Sequence, residues 1–304
     1  MAPAALAARR CALVMACLLA TMVSTAGIAM ASSDVIRHLP PRTPLVSMPW
    51  GGDDGLGDVA VLSMPLSHNL AVVADAAAPQ RTQSGRPLPV IRLPGDIDAA
   101  MGDDRKSRFL SVVLPAIVAV NNAVLGERAR LQAILRDQAA GIAPSPRDQQ
   151  WLAQVARFYR GKASDLPDLL NRIDAIPTSL ALGQAALESG WGTSRVAREG
   201  NALFGVMTWN NAVFEVKPYE TIVESVIDYV RTLNSHPAYA EFRAERSLMR
   251  KVGAPMNGGL LLRHLTRYSE LGGDYIERVT VVIEQNGFAG YDRMDLLAPW
   301  VPQG

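Results

Sequence analysis

The stretch IPTSLALGQAALESGWGTSRVAREGNALFG, Ile176 to Gly205, decides the fold. Pro177 suits the first turn of a helix, where the amide proton it lacks would have no partner. Leu180, Ala181, Gln184, Ala185 and Glu188 recur at three- and four-residue spacing and share one helix face. Leu182, Gly183, Ala186 and Leu187 make the other positions small or apolar, and a helix apolar all round is a buried one. Gly190 then supplies a residue suited to the left-handed turn that ends a helix. The segment therefore delivers one carboxylate, Glu188, to the C-terminal mouth of a buried helix. There it faces the negative end of the helix dipole and is partly desolvated, and both effects raise its pKa. A carboxyl still protonated near neutral pH can donate a proton to a leaving oxygen. The alternative at this point is a surface glutamate on a fraying last turn.

The residues C-terminal to Glu188 bear on that choice. Ser189-Gly190-Trp191-Gly192 and Asn201-Ala202-Leu203-Phe204-Gly205 resemble the signature of bacterial peptidoglycan glucosaminidases, glycoside hydrolase family 73, and in particular its Bax-type branch. The likeness runs from about Lys106 to Asp292. It takes in IPTS (Ile176–Ser179), SGWGTSRVAREGNALFG (Ser189–Gly205), NSHPAY (Asn234–Tyr239) and YSELGGDYI (Tyr268–Ile276), four motifs in family order. The resemblance implies a mainly α, lysozyme-like helical domain with a small, shortened β-hairpin element.

The chain has 304 residues, 49% of them hydrophobic and 19% charged, a composition that suits a globular core. Arg9 and Arg10, the apolar run from Cys11 to Ile28 and Ala29-Met30-Ala31 before Ser32 read as a signal peptide over residues 1–31. A retained membrane anchor is the alternative, because the run is nearly long enough to span. Both cysteines, Cys11 and Cys17, lie in this leader, so the mature chain would have neither a disulfide nor a thiol nucleophile. The expected location is the periplasm or cell envelope, with no stable membrane insertion after cleavage. A charge close to neutral excludes a nucleic-acid binder that works by bulk electrostatics.

Residues 32–104 are rich in Pro and Gly and read as a linker or loosely structured arm, with Val59–Leu62, Leu70–Val73 and Val90–Leu93 as brief strand candidates. The catalytic domain is expected over 105–292, with a tail over 293–304. Regular helix is predicted from near Arg105, with Pro115 kinking or breaking it. A second helix carries Trp151, Leu152, Val155, Phe158 and Tyr159, and Ser164 is expected to cap a short third one. Val206–Thr208 and Ala212–Val216 around Asn210-Asn211 predict a hairpin. Thr221-Ile222-Val223-Glu224 reads as a capping box, which gives Glu224 a structural role. Asp274 is expected to cap the last helix.

His38, His68, His236 and His264 are scattered without metal-ligand spacing, and no metal or cofactor is expected. Glycoside hydrolysis ordinarily takes two carboxylates. Glu188 is one. In relatives a longer β-lobe carries a second, and alignment places Glu215 only at the base of the shortened lobe, with Glu220 a weaker candidate. Three outcomes stay open: Glu215 reaches in, the substrate's own 2-acetamido group assists, or the enzyme is impaired. Tyr275, in GGDYI, matches the family position of a tyrosine lining the site. Tyr268 and Tyr239 are candidates for sugar binding, the latter with a strong structural alternative. Trp191 either stacks on a sugar or locks the loop after the helix. Asn201 and Phe204 are groove candidates whose more direct role is to fix the turn behind it. The function expected is an endo-β-N-acetylglucosaminidase, monomeric, acting on peptidoglycan glycan strands. A lytic transglycosylase with the same acid and a non-catalytic wall-binding or assembly factor are the alternatives.

Overall fold

The computed structural model describes residues 92–211 and 213–293. The leader with its cysteines and cleavage site, His38, His68, the pieces Val59–Leu62 and Leu70–Val73 and residues 294–304 of the tail lie outside the described residues. Helix α1, Gly102–Ala139, starts three residues before Arg105 and runs without interruption through Pro115. The expected break is absent because every residue from Val112 to Asn121 is buried, so packing on all sides holds the turn that lacks one hydrogen bond. Its length and apolarity would suffice to cross a membrane, but its middle is the core of this fold.

Helices α2 (Pro146–Phe158) and α3 (Leu166–Arg172) come next. The cap of α3 is Asp165, whose carboxylate accepts from the Asp168 amide at 3.0 Å, and not Ser164. Helix α4, Thr178–Ser189, is the buried helix that carries Glu188, with Pro177 at its N-cap and Gly190 left-handed at φ 57°. It packs against α1, α8 (Gly258–Leu262), α9 (Gly273–Gln285) and the 3-10 segment Phe288–Arg293. Gly183 sets its distance from α9: a Cβ there would lie 2.7 Å from Ile283 Cγ1.

After α5 (Arg195–Gly200) come β1 (Met207–Asn210) and β2 (Val213–Val216), an antiparallel hairpin pairing Met207 with Val216 and Trp209 with Phe214. Helix α6, Ile222–Ser235, has the expected cap, the Thr221 hydroxyl accepting from the Glu224 amide at 3.2 Å. The reciprocal arm is displaced by one residue: Glu224 Oε2 accepts from the Glu220 amide. Pro237–Tyr239 forms a 3-10 turn, in which His236 Nδ1 accepts from the Ala238 amide, and α7 (Ala240–Lys251) continues from it. At α9 the N-cap is Gly272 at φ 53°, and Asp274 sits inside the first turn without capping.

Three features fix α4. Asn121 brackets the Ile176 peptide, donating to its carbonyl at 2.8 Å and accepting from its amide at 3.0 Å, the structural role expected for a buried asparagine. Asp292 accepts from the Ser179 amide (2.8 Å) and hydroxyl (2.6 Å) and from the Gly258 amide (2.8 Å). It thereby places a carboxylate at the positive end of the helix. Residues 92–101, within the stretch read as an arm, are part of the fold. Leu93 and Ile97 are buried, and a Cβ on Gly192 would come within 2.9 and 3.0 Å of them. Ion pairs Arg198–Asp98 and Arg108–Asp96, both 2.6 Å, hold that segment down. Among the described residues the folded unit thus takes in 92–101, ahead of the boundary expected at 105.

Candidate active site

Glu188 stands on the last turn of α4, and the backbone beyond it is laced back onto the helix. The Trp191 amide donates to Ala186 O at 2.8 Å and the Ser194 amide to Ser189 O at 2.9 Å. The Ser189 hydroxyl donates to Ala185 O and accepts from the Gly192 amide. A fraying last turn is therefore excluded. Glu188 is partly open at the surface while its carboxyl is crowded by protein. This burial pushes its pKa up to about 8, and a hydrogen bond from Tyr275 opposes the shift only in part.

Around it stands a group of tyrosines from three elements. Tyr275 on α9 is fully buried and stacks on Tyr268, with ring centroids 5.6 Å apart and 13° between planes. The Tyr268 hydroxyl donates to Phe204 O at 2.8 Å. Tyr239 lies 6.2 Å from Tyr268, and Phe204 stacks on Tyr229 at 4.0 Å. Burial first, and the Glu188 charge second, raise the pKa values of Tyr239, Tyr268 and Tyr275, which keeps the three phenols protonated. The fold thus gathers Glu188, Tyr239, Tyr268 and Tyr275 from positions spread over nearly ninety residues of sequence.

The remaining candidates are placed differently. Asn201, at φ 50°, donates to the carbonyls of Tyr219 (2.9 Å) and Glu220 (3.0 Å), and Phe204 is buried in its stack, so both hold the turn. Trp191 packs edge-on to Phe109 at 5.6 Å and lies 6.0 Å from Phe288, with Lys106 Nζ 5.4 Å from its ring. These contacts lock the loop after α4. Glu215 is on the hairpin, where its carboxylate accepts from Asn210 Nδ2 at 2.8 Å. Burial and Tyr275 account for the Glu188 shift without Glu215.

Two features escaped the sequence reading. One is Gln184, one turn before Glu188, which is fully buried between two tyrosine hydroxyls. Its position on the Glu188 face was the available signal. The other is a second buried acid, Glu127 on α1, which accepts from the Tyr159 hydroxyl at 2.8 Å. Burial pushes it up to about 7.

Comparison with known proteins identifies the family. Residues 165–292, which span α3 through the 3-10 segment beyond α9, match the model of the glucosaminidase family, described as mannosyl-glycoprotein endo-beta-N-acetylglucosaminidase. Protein bax of Escherichia coli (strain K12) is 36% identical over 198 residues, covering 61% of this chain and 71% of that protein. Peptidoglycan hydrolase FlgJ of the same strain is 30% identical over 115 residues, 30% of this chain and 37% of FlgJ. FlgJ of Salmonella typhimurium is 29% identical over 115 residues, 30% of this chain and 36% of its own. No solved structure matches the chain at a significant level. With bax covered over 71% of its length, the chain belongs to the glucosaminidase family, glycoside hydrolase family 73, in its Bax-type branch.

Proposed function

We propose that the protein is an exported peptidoglycan hydrolase that cleaves the β-1,4 bond after N-acetylglucosamine, with Glu188 as general acid. The observation that carries this is Glu188, partly open at the surface at a rigid helix end, its carboxyl held protonated up to about pH 8 by burial. FlgJ, 30% identical over 115 residues, is named for peptidoglycan hydrolysis, which supports the substrate class.

In the proposed reaction the Glu188 proton passes to the glycosidic oxygen as the bond to the anomeric carbon breaks. The substrate's 2-acetamido oxygen bonds to that carbon in its place. Water then opens the ring so formed and restores the proton to Glu188, with one water consumed per bond cut. Substrate assistance is an established exception to the two-carboxylate scheme. It is favoured here because the Glu215 carboxylate is engaged by Asn210 on the hairpin. Tyr275, itself fully buried, then serves to support the Glu188 charge.

Mass spectrometry of purified peptidoglycan digested by the protein tests the reading. Reducing-end N-acetylglucosamine is the expected product. Anhydromuramic ends would make it a lytic transglycosylase, and no released fragment would make it a binding factor. Export is tested separately by N-terminal sequencing of the protein from the cell envelope, which should begin at Ser32. A chain beginning at Met1 in the membrane fraction would overturn it.

A further inference from the structure

Gln184 precedes Glu188 by one helical turn and is entirely shielded from solvent. Its two amide ends do different things. Oε1 accepts from the Tyr229 hydroxyl at 2.8 Å, and Nε2 donates to the Tyr275 hydroxyl at 2.7 Å. The Tyr275 hydroxyl in turn lies beside the Glu188 carboxyl and favours its charged form. A phenol has one proton. When its oxygen accepts from an amide N–H, that proton is free to be given, and the carboxyl is the remaining neighbour in the chain. We propose that Gln184 and Tyr229 are positioning residues: the directed chain Tyr229, Gln184, Tyr275 commits the Tyr275 proton to Glu188.

The direction of the chain depends on its far end. An amide has no intrinsic preference for either orientation, and Tyr229, as donor, fixes the carbonyl end of Gln184 toward itself. Without that donor the amide is free to turn over. Its oxygen would then face Tyr275 and take the hydroxyl proton away from Glu188. A hydroxyl separated from the carboxyl by two intervening side chains thus sets how well the carboxylate is supported after it has given up its proton. Support that grows as charge develops lowers the barrier, whereas support of the neutral acid does not. The groups that face Glu188 and feel its charge are Tyr239 after α6, Tyr268 after α8 and Tyr275 on α9. All three are uncharged phenols, so what adjusts the acid beyond its burial is the orientation of a hydrogen bond and not an opposing charge.

The inference rests on Glu188 as the acid, but its test does not require activity. In protein carrying 13C-carboxyl glutamate, the Glu188 resonance is the one lost in Glu188→Gln, and its titration midpoint is read directly. Tyr229→Phe keeps the ring that stacks on Phe204 and removes only the hydroxyl. Gln184→Met removes the link itself, and Tyr275→Phe gives the full effect of losing the last donor. The midpoint is expected to rise in all three, by about one pH unit in Tyr275→Phe, a tenfold change in proton affinity, and by up to that much in the other two. On peptidoglycan, Tyr229→Phe should lower kcat and leave KM unchanged, with the alkaline limb of the profile displaced upward. A Tyr229→Phe protein with wild-type melting and an unmoved Glu188 midpoint would overturn the proposal, as would an unmoved midpoint in Tyr275→Phe. Displaced midpoints together with full activity in Glu188→Gln would leave the chain standing and remove the acid from the mechanism.

Discussion

Glu188→Gln is expected to abolish glycan cleavage, with a loss of about a hundred- to ten-thousand-fold, the range for removing a general acid. The substitution keeps the shape of the side chain and its ability to accept from Tyr275, but leaves nothing to donate to the leaving oxygen. The same change should stabilise the fold at alkaline pH. The Glu188 pKa in the folded protein lies at about 8, above its ordinary 4.5, because burial penalises the charge. Such a group contributes stability that is fully present below about 4.5 and is lost as pH rises through about 8. Glutamine stays neutral throughout. The variant should therefore melt with the wild type near pH 4 and above it near pH 9. Wild-type turnover should fall as pH rises through about 8, since the acid form is the one that works. Turnover by the variant within tenfold of wild type, with native melting, would remove Glu188 from the reaction. Loss of activity accompanied by loss of native melting at every pH would instead mark Glu188 as structural.

The helix that presents this acid was legible from local chemistry. Pro177, the all-round small and apolar positions and Gly190 bound α4 almost to the residue, and Thr221 with Glu224 did the same for α6. Short-range rules suffice where a single residue ends or begins a helix. They fail where the partner is remote. Gln184 could be placed on the face of Glu188, yet its partners Tyr229 and Tyr275 stand 45 and 91 residues away. Leu93 and Ile97 sit among Pro94, Gly95, Asp96 and Asp98, a composition that reads as linker. They become core where they meet side-chain-free Gly192 and the rest of the buried cluster. Pro115, read as a kink or a break, makes no break, because the helix around it is buried on every side. Asp165 and Ser164 are both good caps, and sequence alone offered no reason to prefer the aspartate.

Arg246 is the residue whose removal should most damage the fold, and nothing in the pattern of α7 set it apart from its neighbours Arg243 and Arg250. It is completely buried. Its Nη1 donates to Asp174 O (3.1 Å), Ala175 O (3.2 Å) and Asn234 Oδ1 (2.7 Å), and its Nη2 to Asn171 O (3.1 Å) and Arg172 O (3.2 Å). Its Nε lies 3.9 Å from the Asp174 carboxylate, which Arg250 also grips with two hydrogen bonds. Burial draws the Arg246 pKa down to about 10, still charged at neutral pH. One guanidinium therefore satisfies the carbonyls of the turn that leads from α3 into α4, and so fixes where the acid-bearing helix begins. Arg246→Leu fills the space but strands those acceptors. Breaking a buried ion pair from one side costs about 3–5 kcal/mol. That is a large share of a total stability of about 5–15 kcal/mol. Urea unfolding should show a free energy reduced by that amount, read as a lower midpoint, or no cooperative transition at all. Arg250→Ala, whose side chain is 37% exposed, should show a smaller loss. Arg246→Lys should recover only part of the stability, because one ammonium cannot reach acceptors on both sides of the fork. An Arg246→Leu protein that unfolds at the wild-type midpoint would mean that the α3–α4 turn is held by Asn121 and Arg250 without it.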